Sequence, residues 1–195
     1  MKLHIGCGNE LKEGWINHDV AELEGVDIVH DLGIYPWPWE DSSIDEIYMK
    51  DVLEHLPNTI KVMEEIYRIC KPGAKVYIAV PYWNSWEHVT DPTHISQFNE
   101  YTFEFFDSSK GRCQSRPYYT HARFKIIKIG FGSRLVAYLT PMITINGKRR
   151  SPLGRIPPWK YFVSYNPIMK FILGLLASYL SNIIIGLEVY LEKEA

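Results

Sequence analysis

Short apolar runs alternate with polar turns through the first half of the chain, which predicts an α/β fold. Five of these runs have the length and composition of strands: Lys2–Ile5, Trp15–His18, Asp27–Val29, Ile44–Met49 and Lys75–Val80. Before the last strand, apolar residues recur at helical spacing and predict a helix over Thr59–Cys70 with one buried face. Lys71-Pro72-Gly73 ends this helix, because proline disfavours helical backbone at the residue before it.

The pattern changes after Pro81. Tyr82–Pro92 is rich in aromatic and polar side chains and predicts a long loop of the functional type. A short helix capped by Asn99 is predicted over Asn99–Phe106. Two strands forming a hairpin are predicted at Phe124–Phe131 and Arg134–Leu139. Residues 141–160, rich in proline, glycine, lysine and arginine, predict a further loop.

One strongly apolar stretch, Ile168–Leu187, lies near the end of the sequence. Its length is close to the roughly 20 apolar residues that a membrane-spanning helix needs. Three interpretations stay open: a helix in the core or in a dimer contact, a helix lying at a membrane surface, and a transmembrane span. The basic cluster Lys148-Arg149-Arg150 and the nearby aromatic residues favour the membrane surface.

These patterns suggest how the chain is organised. We expect residues 1–140 to form one domain, with residues 82–123 inserted as a lid or acceptor-binding segment. Residues 141–195 would supply a basic and aromatic loop and a hydrophobic helix. That helix would pack on the domain, on a dimer partner or on a membrane surface.

Composition narrows the class of protein. The chain has 195 residues, of which 46% are hydrophobic and 23% charged, as in ordinary globular domains. A formal net charge of −2 argues against a nucleic-acid binder, which would carry a basic excess. Cys7, Cys70 and Cys113 form no recognisable disulfide framework. Met1 runs directly into a strand, so we expect no signal peptide and a cytoplasmic location, with membrane association as an open alternative.

Polar and glycine residues follow each of the first four predicted strands. Gly6-Cys7-Gly8-Asn9 follows the first strand, Asp19 the second, Asp31-Leu32 the third, and Lys50-Asp51 the fourth. A glycine-rich turn after a strand lets a ligand approach the backbone closely, because no side chain obstructs it. Ligands of open α/β sheets bind at the carboxyl ends of the strands, where all these residues lie.

In this order the motifs resemble the nucleotide-binding half of class I S-adenosylmethionine (SAM) dependent methyltransferases. The resemblance covers Lys2–Pro81 and includes Val52-Leu53-Glu54-His55-Leu56 and Arg68-Ile69-Cys70-Lys71-Pro72-Gly73. It is greatest with a small sub-group of the methyltransferase type 11-like family that has a short first crossover. The resemblance implies a Rossmann-like, doubly wound, mostly parallel seven-stranded sheet with a C-terminal hydrophobic helix.

The resemblance also implies SAM as cofactor and assigns roles to residues. The glycine turn would pass beneath the methionine portion, Asp19 would accept both ribose hydroxyls, and Asp31 would accept the adenine amino group. Leu32 would pack on the adenine ring. Lys50 and Asp51 would lie where cofactor and acceptor meet. The implied cofactor-binding residues are Gly6, Cys7, Gly8, Asn9, Asp19, Asp31, Leu32, Lys50 and Asp51.

Two features depart from the common family pattern. His4 stands where an acidic residue usually precedes the glycine turn and helps to order it. Glu10–Gly14 is too short for the usual full helix of the first crossover, and the sub-group shares this short form. Both departures favour one alternative function, a non-catalytic methyltransferase-like subunit that binds a partner through its C-terminal helix.

Three histidines are candidates for catalysis: His55, His88 and His94. Methyl transfer depends mainly on alignment, and a general base assists only some acceptors. We expect no metal ion, although His88, Asp91 and His94 form an HxxDxxH pattern that is a weak candidate for a ligand set. Pro92 lies within this pattern and precludes a regular helix.

We therefore predict a SAM-dependent methyltransferase. Its acceptor is a small molecule that the sequence does not identify; a saccharide or a lipid-linked compound is the hypothesis that the basic, aromatic and apolar C-terminal region favours. Expected contacts are the acceptor, no nucleic acid, and either a peripheral membrane surface or a second copy through the C-terminal helix. A nicotinamide-dependent dehydrogenase is disfavoured, because Leu11 occupies the third glycine position of the GxGxxG fingerprint.

Overall fold

The computed structural model describes residues 1–133 and 162–194. Eight strands form one sheet: β1 Lys2–Ile5, β2 Ile16–Asp19, β3 Ile28–Val29, β4 Ile44–Lys50, β5 Cys70–Pro81, β6 Phe124–Ser133, β7 Phe162–Ser164 and β8 Gly186–Lys193. Within the described residues four α-helices accompany them: α1 Thr59–Ile69, α2 Trp86–Thr90, α3 Gly111–Ser115 and α4 Pro167–Ala177. Short 3₁₀ turns span Leu53–His55, Thr102–Phe106 and Pro117–Tyr119.

The strand order is β3-β2-β1-β4-β5-β8-β6-β7. Strands β1 to β5 pair in parallel, whereas β8 runs antiparallel to its neighbours β5 and β6. The three-residue β7 adds to the outer edge of β6. The first seven strands of this order form the predicted seven-stranded, mostly parallel sheet, and β7 extends it. The predicted Rossmann-like α/β class is therefore confirmed.

Helix α1 agrees with its prediction to within one residue. Asn58 caps it, since its side-chain oxygen accepts a hydrogen bond from the Lys61 backbone N–H at 3.1 Å. After the helix, Gly73 has a φ of +77°, a backbone conformation that favours glycine. The buried face of α1 packs on the sheet through Val62, Met63, Ile66 and Ile69.

The first crossover contains turns instead of a helix, as its length predicts. Asn17 holds these turns from the neighbouring strand: its side-chain oxygen accepts from the Lys12 backbone N–H at 2.8 Å. Its amide nitrogen donates to the Lys12 carbonyl at 3.2 Å. Hydrogen bonds from one buried asparagine thus brace the crossover that a helix would otherwise fill.

The C-terminal apolar stretch differs from its prediction. Helix α4 ends at Ala177, and residues 186–193 form the interior strand β8 instead of continuing the helix. Asn182, with a φ of +61°, lies between the two elements. The apolar run continued past the helix because the connecting segment after Asn182 and the start of β8 are also apolar, with Ile184, Ile185 and Leu187 buried. No helix within residues 1–133 and 162–194 is long and apolar enough to cross a membrane.

Two other predictions are partly met. Strand β6 confirms the first strand of the predicted hairpin, but its partners are β8 and β7. The predicted second strand Arg134–Leu139 and the loop at 141–160 lie outside the described residues. The helix expected over Asn99–Phe106 is a 3₁₀ turn that begins at Thr102.

Candidate active site

Two cavities meet at the carboxyl end of β4. The glycine-turn cavity has a volume of about 300 Å³ and is lined by Gly6, Gly8, His18, Asp19, Val20, Asp31, Leu32, Asp51, Val52, His55 and Leu56. The acidic cavity has a volume of about 450 Å³ and is lined by Asp51, Glu54, His55, Pro81, Trp86, Glu87, Thr90, Asp91, Pro92 and His94. Asp51 and His55 line both cavities, so the two spaces adjoin at these residues.

The glycine turn has a backbone that only glycine fits well. Gly6 has a φ of +67°, and a Cβ atom there would lie 2.1 Å from Cγ2 of Val52. The Gly8 backbone N–H donates to the Asp19 carboxylate at 2.8 Å. In this chain Asp19 therefore orders the turn. His4, at the position of the usual acidic residue, is buried with its ring edge-on to Tyr48, and burial lowers its pKa.

The carboxylates of this cavity are held by backbone groups. Asp19 also accepts from the Ala21 N–H at 3.0 Å, and Asp31 accepts from the Gly33 N–H at 2.8 Å. A carboxylate has about four lone-pair sites. Both side chains therefore keep acceptor capacity for the hydroxyl or amino groups of a ligand.

An aromatic loop supports the apolar wall formed by Leu32. The Trp37 indole N–H donates to the Leu32 carbonyl at 3.0 Å. The Arg68 guanidinium in turn donates to the carbonyls of Trp37, at 3.0 Å, and Trp39, at 2.8 Å. Both indoles are buried, so this wall belongs to the core.

Most of the predicted cofactor residues line the glycine-turn cavity: Gly6, Gly8, Asp19, Asp31, Leu32 and Asp51. Cys7, Asn9 and Lys50 lie beside it, Cys7 as a buried residue of the turn and Lys50 in an ion pair with Asp51 at 3.5 Å. The lining residues that the sequence analysis left out are His18, Val20, Val52 and Leu56. Val52 and Leu56 belong to the motif after β4, which was the available signal.

The acidic cavity is named for its four carboxyl side chains, which belong to Asp51, Glu54, Glu87 and Asp91. Among its described lining residues there is no lysine or arginine. Burial raises the pKa of Asp51, although the neighbouring Lys50 opposes that shift. The cavity therefore presents an excess of acidic groups to whatever enters it.

Glu54 is the least compensated of these groups. Its residue is 0% exposed, and neither carboxyl oxygen has a hydrogen-bond partner among the described residues. Burial raises its pKa to about 8. Its Oε1 lies 3.9 Å from Nε2 of His94. The sequence analysis did not select Glu54, because its position gives no sign that it would be buried without a partner.

Hydrogen bonds fix the proton positions on the two cavity histidines. The Thr93 hydroxyl donates to Asp91 at 2.6 Å, and this bond is the largest cause of a lowered pKa at Asp91. The same hydroxyl oxygen lies 2.9 Å from Nδ1 of His55, so Nδ1 carries the proton and donates. His94 Nδ1 likewise donates, to the His88 carbonyl at 2.9 Å. In each neutral ring, Nε2 keeps its lone pair.

The three predicted catalytic histidines have different positions. His55 and His94 line the acidic cavity, with ring centroids 4.7 Å apart. The His88 ring is buried, stacks on His94 with centroids 5.5 Å apart, and does not line the cavity. Within the described residues, the three potential metal ligands that converge are Glu54, His55 and His94, instead of the HxxDxxH set of His88, Asp91 and His94.

Comparisons with known proteins agree with this architecture. The methyltransferase domain family model matches residues 32–78. A SAM-dependent methyltransferase from Archaeoglobus fulgidus superposes with a TM-score of 0.56 and 18% identity, over 98% of this chain and 85% of that one. Phosphoethanolamine N-methyltransferase 2 of Haemonchus contortus, with phosphomonomethylethanolamine and S-adenosylhomocysteine bound, gives a TM-score of 0.52 and 16% identity, over 100% of this chain and 48% of that one.

A sequence relative adds to the structural comparisons. Phosphoethanolamine N-methyltransferase 2 of Caenorhabditis elegans is 39% identical over 44 residues, which are 23% of this chain and 10% of that protein. The chain also spans about half of the H. contortus structure. The comparisons confirm the predicted resemblance: the chain has the fold of class I SAM-dependent methyltransferases and carries a methyltransferase-domain segment at 32–78.

Proposed function

We propose that the protein is a SAM-dependent methyltransferase that holds SAM in the glycine-turn cavity and a small-molecule acceptor in the acidic cavity. One observation carries this proposal: the two cavities adjoin at Asp51 and His55. When bound, SAM supplies a methyl group on a sulfonium. An acceptor in the adjoining cavity would be aligned with it, and alignment supplies much of the acceleration of such a displacement.

The residues of the glycine-turn cavity are suited to SAM. Gly6 and Gly8 leave the backbone bare where a ligand must approach it. Asp19 keeps acceptor sites for ribose hydroxyls, and Asp31 for the adenine amino group. Leu32 offers a supported apolar surface for the adenine ring. These features support the cofactor assignment independently of the acceptor.

His55 is our candidate for the general base. Its Nδ1 is occupied by Thr93, so the lone pair that can take a proton from the acceptor is on Nε2. The ionised Asp91, acting through Thr93, stabilises the ring in this tautomer. Because His55 lines both cavities, it lies between the two proposed ligands.

The lining of the acidic cavity favours an acceptor that carries hydroxyl groups, such as a saccharide or a lipid-linked saccharide. Carboxylates accept hydrogen bonds from hydroxyls, and the partly exposed Trp86 ring adds an apolar face. An amine acceptor is a second candidate. The ionised carboxylates of this cavity, Asp91 among them, would attract a cation, and the C. elegans relative is a phosphoethanolamine N-methyltransferase.

Calorimetry with S-adenosylhomocysteine tests the cofactor site. We expect wild type and Glu22→Ala, an exposed carboxylate outside the cavity, to bind in the micromolar range. Asp19→Ala and the milder Asp19→Asn should bind far more weakly, because each loses a carboxylate that accepts two hydroxyls. Absence of binding by folded wild type, or equal binding by all four proteins, would contradict the proposal.

Methyl transfer from radiolabelled SAM tests the acceptor class. Saccharides and primary amines are offered to wild type and to His55→Ala. Transfer to hydroxyl compounds would support the first candidate, and transfer to amines the second. If wild type binds SAM but transfers to neither class, the acceptor proposal fails while the cofactor proposal stands.

The exposed apolar face of α4 favours a further role in binding. The helix and the turn after it expose Ile168, Phe171, Leu175, Tyr179 and Leu180. We propose that this face contacts a membrane surface or a second copy of the chain, and a non-catalytic binding subunit would use it in the same way. Co-sedimentation with anionic vesicles tests the membrane contact, and analytical ultracentrifugation tests self-association. A monomer that does not bind vesicles would contradict both.

A further inference from the structure

The acidic cavity contains three side chains whose arrangement the proposed methyl transfer does not explain. Glu54, His55 and His94 each offer a ligand atom, and these atoms all lie within 4.8 Å of one another. They come from separate parts of the chain, because the 3₁₀ turn after β4 supplies two and the loop after α2 supplies the third. All three line the same cavity.

Glu54 supplies the independent observation that something is missing. A carboxyl group that is 0% exposed and has no hydrogen bond on either oxygen is costly to bury, and such groups are usually paired or coordinate a metal. The nearest cationic candidate is His94, whose Nε2 lies 3.9 Å from Oε1. That separation is too long for a hydrogen bond. A cation between the two would satisfy both.

The hydrogen bonds on the far sides of the rings are those that metal-ligating histidines make. Such histidines donate the other ring N–H to a carbonyl or a carboxylate, which fixes the tautomer. His94 donates to the His88 carbonyl at 2.9 Å, and His55 donates to Thr93, which is bonded to Asp91. Both rings thus have a free Nε2 lone pair, the form in which imidazole binds a metal.

The ligand atoms lie farther apart than they would on one ion, so binding requires the side chains to rotate toward it. Two ligand atoms on a tetrahedral zinc ion are about 3.3 Å apart, given bonds of about 2.0 Å. The 3.9 Å separation between His94 and Glu54 exceeds this by a shift that side-chain rotation can supply. Asp91 Oδ2 also lies 3.9 Å from His94 Nε2, so a further carboxylate is close to the site.

We propose that Glu54, His55 and His94 bind a divalent transition-metal ion of the zinc class, and that its open positions face the acidic cavity and take hydroxyl oxygens of the acceptor. Two imidazoles and one carboxylate form a set that leaves a coordination position free, as catalytic zinc sites do. The metal site itself does not depend on the proposed methyl transfer, whereas its contact with the acceptor does. A metal ion here would offset the excess of carboxylates and lower the pKa of a bound hydroxyl. With the ion bound, the His55 Nε2 lone pair would be a ligand, so the ion would replace His55 in activating the acceptor hydroxyl.

Zinc titration of tag-free full-length protein, after dialysis against a chelator, tests the site. We expect wild type to bind one equivalent of Zn²⁺, and Glu54→Gln and His94→Gln each to bind more than about 100-fold more weakly, since even outer partners are worth 10–100-fold. His121→Gln is the control, because it removes a histidine that is 70% exposed and lies outside the cavity. It should bind zinc as wild type does.

Two results would overturn the metal site: wild type that binds no zinc equivalent, or binding that Glu54→Gln and His94→Gln leave unchanged. Thermal denaturation of each variant identifies any loss that comes from unfolding. S-adenosylhomocysteine binding is measured on the same samples. If wild type binds S-adenosylhomocysteine but no zinc, only the metal site is contradicted. If folded wild type does not bind S-adenosylhomocysteine, the proposed function is contradicted.

Discussion

The two cavities that meet at Asp51 and His55 are built in opposite ways. In the glycine-turn cavity, Asp19 and Asp31 are held by backbone N–H groups. In the acidic cavity, Glu54 is buried, and neither of its carboxyl oxygens has a hydrogen-bond partner within the described part of the chain. The two carboxylates of the first cavity are hydrogen-bonded without a ligand, whereas the Glu54 carboxyl group of the second has no partner among the described residues. A ligand should therefore bind to the first cavity as it stands, whereas a ligand of the second cavity should supply the partner that Glu54 lacks.

This contrast has an energetic consequence. A preorganised site loses little freedom when it binds, so changes to its shape should mainly reduce ligand affinity. A site with an uncompensated carboxyl group carries a cost in the fold that a bound cation would relieve. The variants below alter one cavity at a time, and they are ordered from the largest expected effect to the smallest.

Gly6→Ala should reduce ligand binding in the glycine-turn cavity without altering the acidic cavity. The added Cβ would lie 2.1 Å from Val52 Cγ2 at a φ of +67°, so both packing and backbone are strained. We expect S-adenosylhomocysteine affinity to fall more than about 100-fold and unfolding free energy to fall by about 2–4 kcal/mol. Calorimetry and urea denaturation measure the two losses.

Gly73→Ala is the matched control for this change. Gly73 has a similar φ of +77°, but a Cβ there meets no atom within 4 Å. It should lose about 1–2 kcal/mol of stability and no cofactor affinity. The double variant Gly6→Ala/Val52→Ala should recover part of the binding. Equal affinities for the two single variants would show that the close approach at Gly6 is unimportant.

Arg68→Lys tests whether the wall of the glycine-turn cavity depends on its support. The guanidinium donates to the carbonyls of Trp37 and Trp39 and pairs with Glu65 and Asp41, a geometry that lysine cannot reproduce. We expect a stability loss of about 2 kcal/mol and roughly tenfold weaker S-adenosylhomocysteine binding. Zinc binding in the acidic cavity should not change.

Arg123→Lys provides the comparison for that variant. Arg123 also donates to backbone carbonyls, those of Pro117, Thr120 and Ala122, but it lines neither cavity. It should lower stability without lowering cofactor affinity. If both variants weaken binding equally, the effect comes from general loosening of the fold and not from the wall.

The glycine-turn cavity was largely predictable because its residues follow single strands. Each strand end and its polar residue are neighbours in sequence, so the motif and the position in the fold coincide. Asp19 shows the limit of this reasoning: its place in the cavity was predicted, but its bond to the Gly8 N–H was not. That contact depends on the parallel pairing of β1 with β2.

The acidic cavity was less predictable because the fold assembles it from distant segments. Glu54 and His94 are 40 positions apart in the chain numbering, and only the loop after α2 brings them together. The regular spacing of His88, Asp91 and His94 suggested a different group of residues from the three that converge, since the α2 helix ends at Thr90 and the His88 ring is buried. Strand β8 escaped prediction for a similar reason, because it pairs with β5 and β6, which are distant from it in the sequence.

Thr93→Val should weaken ligand binding in the acidic cavity without affecting ligand binding in the glycine-turn cavity. Valine keeps the shape of threonine but removes the hydroxyl that joins Asp91 to His55. We expect zinc binding and methyl transfer each to fall about tenfold, the usual cost of removing an outer partner of a ligating histidine. S-adenosylhomocysteine affinity should stay at the wild-type value.

Thr93→Ser is the rescue variant, since it restores the hydroxyl. It should bind zinc nearly as wild type does. The same tenfold loss in both variants would mean that the methyl group, and not the hydrogen bonds, matters at this position. Unchanged values in Thr93→Val would show that the tautomer of His55 does not need this support.

Two buried histidines, His4 and His18, should make the stability of the fold depend on pH. They are 3% and 1% exposed, and Nδ1 of each has no hydrogen-bond partner among the described residues. Burial lowers the pKa of His4 and of His18 below the ordinary 6.5. The unfolded chain therefore binds these protons more readily than the folded protein, and stability is lost as pH falls below about 6.5.

Urea denaturation between pH 5 and pH 8 measures this loss for wild type, His4→Gln and His121→Gln. Each buried histidine contributes at most about 1.4 kcal/mol per pH unit below about 6.5, so the expected effect is the smallest of the series. His4→Gln should reduce the slope of unfolding free energy against pH below pH 6.5. Near pH 8 the pH dependence should stay as in wild type. His121→Gln removes an exposed ring and should keep the wild-type slope. If His4→Gln kept that slope too, the acid response would come from other groups, and the burial of His4 would not contribute to it.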